Sequence, residues 1–324
     1  MFLPDSFHHD RDSVLALLRF KRVAFKATLL QNFVKERLAA QTGQFTNGHE
    51  EHLMAACDMC DKLTWVAAMC DRFVNCIGSC SVAQFARFQG ALIELDPVER
   101  ALNGWIEGLR RDELNEKHCV AELQRTMALM AHLASIHLKN DLEGFASDVH
   151  MKVQLMQSYM ESTAAATTLL RLAVTKRLPQ DGEVAIAFQK KTDALVSQSR
   201  SVKVVAGKIL RALDDFRLRN LSITPDKRGD FETCEEATQK LARYTRALGG
   251  DVYTLFFGDE SLERQPTWID LQNTMYATTE RVLGMSESDI YGSIMKELRN
   301  LTNNLAELAN VASDIDMTAE CTSP

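Results

Sequence analysis

Proline and glycine are scarce in this sequence, with 6 Pro and 15 Gly among 324 residues. A collagen-like repeat needs glycine at every third position, and disordered low-complexity chains are rich in both residue types, so both classes are excluded. Hydrophobic residues make up 46% of the chain and charged residues 25%. This length and composition are sufficient to bury one large core or two ordinary ones.

Positive charge and long apolar runs are also lacking. There are 37 Lys and Arg against 44 Asp and Glu, a formal net charge of -7. This balance argues against a general nucleic-acid-binding protein, because phosphate contacts need a basic surface. No stretch approaches the ~18 uninterrupted apolar residues that a bilayer span needs, and the N-terminus has no signal-peptide layout. We therefore expect a soluble, cytosolic protein.

Apolar residues recur at three- and four-residue steps through nearly every long segment, and no alternating strand pattern is found. The sequence therefore predicts an all-α fold, an irregular bundle of long antiparallel helices. No repeat is found at the periods of about 34 to 47 residues that helical solenoids show. Helices are expected at about residues 10–39, 49–77, 97–110, 119–138, 145–178, 184–221, 231–255, 267–283 and from about 286 onwards.

Two short motifs indicate where predicted helices begin or end. Asp96-Pro97 is a typical helix start, because Asp caps the free amides of the first turn and Pro is tolerated at the first helical position. Residues 179–182, Pro-Gln-Asp-Gly, interrupt the pattern. We predict a subdomain boundary there, between residues 1–178 and a second subdomain, 183–317, that carries the terminal heptad helix. The polar tail, 318–324, is expected to fray.

The eight cysteines are bunched rather than spaced as a disulfide framework. Cys57 and Cys60 have the C-x-x-C spacing of two zinc thiolates. A structural zinc site needs a second close pair, whereas Cys70, Cys76 and Cys80 follow along the same predicted helix. We expect reduced, buried thiols, no structural metal and no cofactor.

Catalytic motifs are not found in the sequence. Asp214-Asp215 begins like the magnesium-binding motif of enzymes that ionise isoprenoid diphosphates, but Leu218 stands where a carboxylate is needed. His118, His132 and His137 lack the spacings of paired ligands or bases. P-loop, dinucleotide-binding and nucleophile-elbow motifs are missing as well. The sequence therefore predicts a protein that is not an enzyme.

Positive charge is concentrated in residues 186–230, which hold ten Lys and Arg against five Asp. On a helical wheel most of these basic residues share one arc, opposite an apolar arc. One interpretation of this basic stripe is an ordinary solvated face, and the other is a docking strip for an acidic partner. The candidate partner-binding residues are Lys190, Arg200, Lys203, Lys208 and Arg211.

The last predicted helix spaces its apolar residues three, four, three, four from Tyr291 to Ile315, a heptad seam of more than three heptads. Flanking positions include Thr302 and Ala309 rather than charges, so the pattern is compatible with a coiled coil and with a bundle core. We predict that the distal half, 305–315, projects and pairs two chains. The candidate oligomerisation residues are Leu298, Leu301, Leu305, Leu308 and Ile315.

Several short segments resemble the dynactin large-subunit (Glued) family, in the globular domain between its two coiled coils. Each segment is short, but together they keep the family's order from residue 2 to about residue 293. Between residues 144 and 281 only the general helical pattern of the sequence resembles the family. The matching residues are Phe2-Leu-Pro-Asp-Ser-Phe7, Val14-Leu-Ala-Leu-Leu18, Glu99-Arg100, Leu102, Ile106-Glu107, Leu109, Asp112-Glu-Leu-Asn-Glu116, Ser135-Ile-His-Leu138 and Ile290-Tyr-Gly-Ser293.

The resemblance implies an architectural, non-catalytic role in the complex that supports dynein-driven transport along microtubules. Implied partners are other dynactin subunits, cytoplasmic dynein chains and cargo adaptors, with a parallel dimer of the full subunit. The family's microtubule-binding domain is not found here, so no direct microtubule binding is expected. The implied location is the cytoplasm, at the cytoskeleton. The alternative is a generic helical adaptor or tether, similar to vinculin, that binds an acidic partner or a membrane surface.

Overall fold

The computed structural model describes residues 10–41, 51–258, 264–286 and 289–321. The resembling segment at 2–7 lies outside these ranges, as do residues 42–48 of the polar stretch that follows the first predicted helix. The predicted all-α fold is confirmed, with one small two-stranded sheet. The elements are α1 (Arg11–Gln41), α2 (Glu51–Gly78), α3 (Val82–Phe85), α4 (Ala91–Glu94), α5 (Asp96–Arg110), α6 (Glu116–His137), α7 (Leu142–Arg177), α8 (Glu183–Leu218), β1 (Leu221–Ile223), α9 (Arg228–Phe257), α10 (Trp268–Leu283), α11 (Ile290–Val311) and β2 (Thr318–Glu320).

Local capping explains where several helices begin. Asp141 accepts a hydrogen bond from the Gly144 amide at 2.8 Å and so caps α7. Thr267 and Asp270 form a reciprocal capping box at the start of α10. The predicted cap at Asp96 is wrong. The chain enters α5 directly from α4 with helical geometry, so Leu95 occupies the cap position without a side-chain bond.

Helix α2 is central, which fits a helix that is apolar around most of its circumference. It packs against α1, α6, α7 and α9. One hydrophobic cluster is formed mainly by α1, α2, α5 and α6, and a second by α7 to α11. Helix α7 contributes to both, for example Leu155 to the first and Met156 to the second. The predicted helix break at 179–182 is confirmed, and the subdomain boundary there stays a prediction.

A buried polar network joins α2, α7 and α9 between the two clusters. The Asp61 carboxylate, only 3% exposed, accepts a 2.7 Å hydrogen bond from Ser158 and pairs with Arg246. Arg246 also lies 3.3 Å from Asp58 and donates to Ser162. Burial raises the pKa of Asp61, an effect that the positive charge of Arg246 opposes. The guanidinium therefore offsets part of the cost of burying this carboxyl group between the two clusters.

The end of the described chain is not frayed, so the prediction for residues 318–320 is wrong. Strand β2 pairs antiparallel with β1, with Ser222 opposite Ala319, and the Cys321 amide donates to the Asn220 carbonyl at 2.8 Å. Helix α8 accordingly ends at Leu218 rather than at 221. Three-residue strands are too short to show an alternating pattern, which is why the sequence did not reveal them.

The heptad seam of α11 lies inside the protein. Leu298, Leu301, Leu305 and Leu308 are each no more than 4% exposed and belong to the second cluster, and α11 packs mainly against α8. Ile315 is 61% exposed and follows the end of the helix. The predicted projection of residues 305–315 is therefore wrong, because the seam is covered by helices of the same chain. The pairing of two chains stays a prediction.

Three basic residues of α1 surround a buried carboxylate of α5. Glu99 Oε1 accepts 2.8 Å hydrogen bonds from Arg22 Nε and Lys26 Nζ, and Arg19 Nε lies 3.0 Å from Oε2. These bonds, that from Arg22 first, hold the pKa of Glu99 at about 2, against the opposing effect of burial. The cluster fixes α5 against α1.

We expect Glu99→Gln to lower the free energy of unfolding by roughly 1–3 kcal/mol at pH 7, because the three cations lose their anion. The stabilisation from a lowered carboxyl pKa is fully present above the ordinary value of 4.5 and is lost as the pH falls towards 2. The gap between parent and variant, measured by urea unfolding, should therefore close over that range. Glu107→Gln, at a half-exposed surface pair, is the control; an equal loss there would contradict this account.

Candidate partner-binding surface

The basic stripe lies on the outer side of α8, as its wheel pattern predicts. The inner side of this 36-residue helix packs against α7 and α11 through buried residues such as Val202, Ile209 and Leu213. Gly182, which has no side-chain cap, precedes the helix, and Asn220 in the left-handed region (φ 56°) follows it. No helix of the described chain is long and apolar enough to span a membrane.

Four of the five predicted stripe residues project into solvent. Lys190, Arg200, Lys208 and Arg211 are exposed, and no ion pair involves them within the ranges that the structure describes. Lys203 differs, because its ammonium lies 2.8 Å from Glu161 Oε1 on α7. Glu161 also binds Lys35 of α1 at 2.7 Å. Lys203 therefore holds helices together within the chain, and the accessible stripe consists of the other four residues.

A shallow cleft of about 620 Å³ lies beside the stripe, between α7 and α8. Arg200 lines it, together with an ion pair between Arg171 and Asp193 and the exposed side chain of Val204. The sequence did not single out Arg171 or Val204, because only the packing of α7 on α8 brings them next to Arg200. The surface combines positive charge with the exposed apolar side chain of Val204, and this combination suits an acidic protein segment.

The cysteines that resemble zinc ligands are buried along α2. Burial raises the pKa of Cys57 to about 12 and that of Cys60 well above its ordinary value of 9.0. All eight thiols are unpaired, and the described residues contain no His, Cys, Asp and Glu cluster that could hold a metal ion. Buried thiols with raised pKa values are poor nucleophiles and poor metal ligands.

The aspartate and histidine residues examined for catalytic motifs lie on different helices, with Asp214 on α8 and the three histidines on α6. Asp214 forms a 3.0 Å contact with His150 of α7. His118 lies 3.6 Å from Glu122 one turn along α6. The ring of His137 lies 5.0 Å from that of Phe88 at a tilt of 31°, and burial lowers the pKa of this histidine. His118, His137 and His150 therefore each have a local structural contact, and His132 lies exposed on α6.

Comparison with known proteins gives a consistent result. The family model described as Dynactin, dynein associated protein, matches residues 1–213. Dynactin subunit 1 of Xenopus laevis is 28% identical over 178 residues, which are 52% of this chain and 14% of that protein. The subunit from Gallus gallus is 27% identical over 179 residues, with the same coverage. That from Drosophila melanogaster is 23% identical over 185 residues, covering 53% of this chain and 15% of that protein.

This chain thus spans about one seventh of the length of these relatives. The family match nevertheless covers well over half of the chain, from α1 through most of α8, and includes every residue of the basic stripe. The chain belongs to the dynactin family of dynein-associated proteins.

Proposed function

We propose that this protein is a structural and interaction domain of the dynactin complex, where it supports dynein-driven transport along microtubules. The observation that carries the proposal is the family match over residues 1–213. Membership of this family points to a non-catalytic structural protein. Its place of action is the cytoplasm, at the cytoskeleton, and its partners are other dynactin subunits, dynein chains and cargo adaptors.

The architecture suits such a role. Helices α7 and α8 are each 36 residues long, so at 1.5 Å per residue each extends roughly 54 Å. Long helices packed side by side present extended surfaces of fixed geometry, which is what a scaffold offers its partners. Affinity purification of the tagged protein from a eukaryotic extract tests the proposal: dynactin and dynein chains are expected in the eluate by immunoblot. Their absence would contradict it.

Charge reversal on the accessible stripe tests where the partner binds. Arg200, Lys208 and Arg211 are solvent-exposed. Changing all three to Glu should therefore alter the melting temperature only slightly, as is usual for surface substitutions. Capture of dynein and dynactin chains should fall several-fold at low salt, and the difference should shrink at high salt because exposed charges are screened. Immunoblots of the eluates at two salt concentrations measure both effects.

The control variant changes three other exposed basic residues, Arg87, Arg125 and Lys296, to Glu. It alters the net charge by the same amount, but its substitutions lie on the turn between α3 and α4, on α6 and on α11 rather than on α8. An equal loss of capture in both variants would indicate a general charge effect. Unchanged capture in the stripe variant would show that the stripe is an ordinary solvated face.

A further inference from the structure

A second feature is an apolar cavity of about 500 Å³ that is lined by α7 to α11. Helices α8 and α10 form its two walls and approach each other where the rings of Phe188 and Trp268 meet edge to face at 5.6 Å. The floor includes Leu170, Tyr244 and Ile294. This volume lies within the range of about 300–1,000 Å³ that small-molecule sites occupy.

Four of the hydroxyl groups that line the cavity have hydrogen-bond partners within the protein. Thr163, Thr167 and Thr192 each donate to the backbone carbonyl one turn earlier, at 2.8, 2.7 and 2.9 Å. Tyr244 shares a 2.9 Å hydrogen bond with Thr279. These four groups are therefore engaged within the protein, and the mainly apolar lining favours an apolar ligand.

Two charged side chains line the cavity, and they differ in what they bind. Asp289 accepts a hydrogen bond from the Gly292 amide at 3.0 Å and caps α11, so its charge serves the helix. Lys191 lies 5.2 Å from the centre of the Tyr291 ring and has no carboxylate partner within the described part of the chain. Beside it, Val184 and Ile269 leave the mouth open, with 60% and 69% of their surfaces exposed.

We propose that this cavity binds an amphiphilic anion, with its apolar chain among the five helices and its anionic head paired with Lys191. Size favours such a ligand over a docked helix. One turn of helix, about 10–12 Å wide and 5.4 Å long, occupies roughly 400–600 Å³, and helix-in-groove recognition uses about two turns. The cavity holds only one. A lipid tail and a free fatty carboxylate share this chemistry.

Dodecanoate below its micelle concentration is the probe, and its binding is measured by calorimetry and by tryptophan fluorescence, to which Trp268 at the cavity contributes. We expect one site per chain. Each methylene removed should weaken binding about fourfold, so decanoate should bind roughly 15-fold more weakly. Dodecanol, which lacks the charge, should bind less tightly than dodecanoate. Vesicles containing an anionic lipid form a second arm: binding to both identifies a shared site, and binding to the free carboxylate alone identifies the free ligand as its occupant.

Two pairs of variants locate the site. Lys191→Gln should weaken dodecanoate binding roughly threefold to tenfold, whereas Lys190→Gln, which removes the neighbouring charge outside the cavity, should not. Ala187 is exposed and lines the cavity, so Ala187→Trp should block it without disturbing the core, and Ala277→Trp on the outer side of α10 is the control. Failure of dodecanoate to bind the folded parent, or equal binding by Lys191→Gln and the parent, would overturn the proposal.

Discussion

Replacing Leu305 and Leu308 together by aspartate is expected to destroy the folded state rather than release a stable monomer. Both side chains are at most 3% exposed and lie in the second hydrophobic cluster. Truncation of one buried leucine removes about 2–5 kcal/mol, and an unpaired buried charge adds further destabilisation. Because a whole domain is stable by only about 5–15 kcal/mol, two such changes should abolish the cooperative melting transition in circular dichroism.

Ile315→Asp is the matched control for this prediction. Ile315 continues the same heptad pattern but is 61% exposed and lies beyond the end of α11. Its replacement should change the free energy of unfolding by no more than about 0.5 kcal/mol. If the double aspartate variant instead remained folded and sedimented as a monomer while the parent dimerised, the leucines would belong to an interface between two chains.

The second large effect is expected from Arg246→Met. This change leaves the charge of Asp61 buried without its cation, and breaking a buried pair in this way removes about 3–5 kcal/mol. Asp58 beside it would add repulsion, since it also loses the same guanidinium. Chemical unfolding at pH 7 measures the loss. A loss under 1 kcal/mol would show that the network is not what fixes α9 against α2.

The pH dependence of this variant gives an independent check. Burial raises the pKa of Asp61 in the folded protein, and loss of Arg246 should raise it further. The folded state then retains a proton that the unfolded state, with a pKa of about 3.9, has released. Stability of the variant should therefore fall as the pH rises from about 4, with the deficit largest at neutral pH. In Asp61→Asn/Arg246→Met, which has no charge at either position, this dependence should disappear.

Helix periodicity was the part of the structure most accessible from the sequence. Every long helix was predicted, and most helix ends lie within about three residues of the predicted ones, because a helix that covers a core must repeat its apolar residues at 3.6-residue intervals. The heptad seam shows the limit of this reasoning. Its spacing requires that something cover Leu298 to Leu308, but does not say whether the covering helix is in the same chain.

The features that the sequence did not predict depend on contacts between residues that are distant in the chain. Lys203 appears on the wheel as part of the basic stripe, and only the packing of α8 on α7 pairs it with Glu161. Asp61 and Arg246 are likewise separated by most of the chain. The one sequence signal for that pair is a carboxylate within a helix that is apolar around most of its circumference, which requires a partner without identifying it. The apolar cavity has no sequence signal, because five helices must assemble before it exists.

The pairing of β1 with β2 has a mechanical consequence. A pulling force applied to the chain after Glu320 acts first on the three residue pairs between β1 and β2 and on the hydrogen bond from Cys321 to Asn220. Each such hydrogen bond contributes only about 0.5–1.5 kcal/mol, whereas α11 is anchored by an entire row of buried leucines. Under load the short sheet should yield before α11 moves, and its release would lengthen the chain while the helical body stays intact.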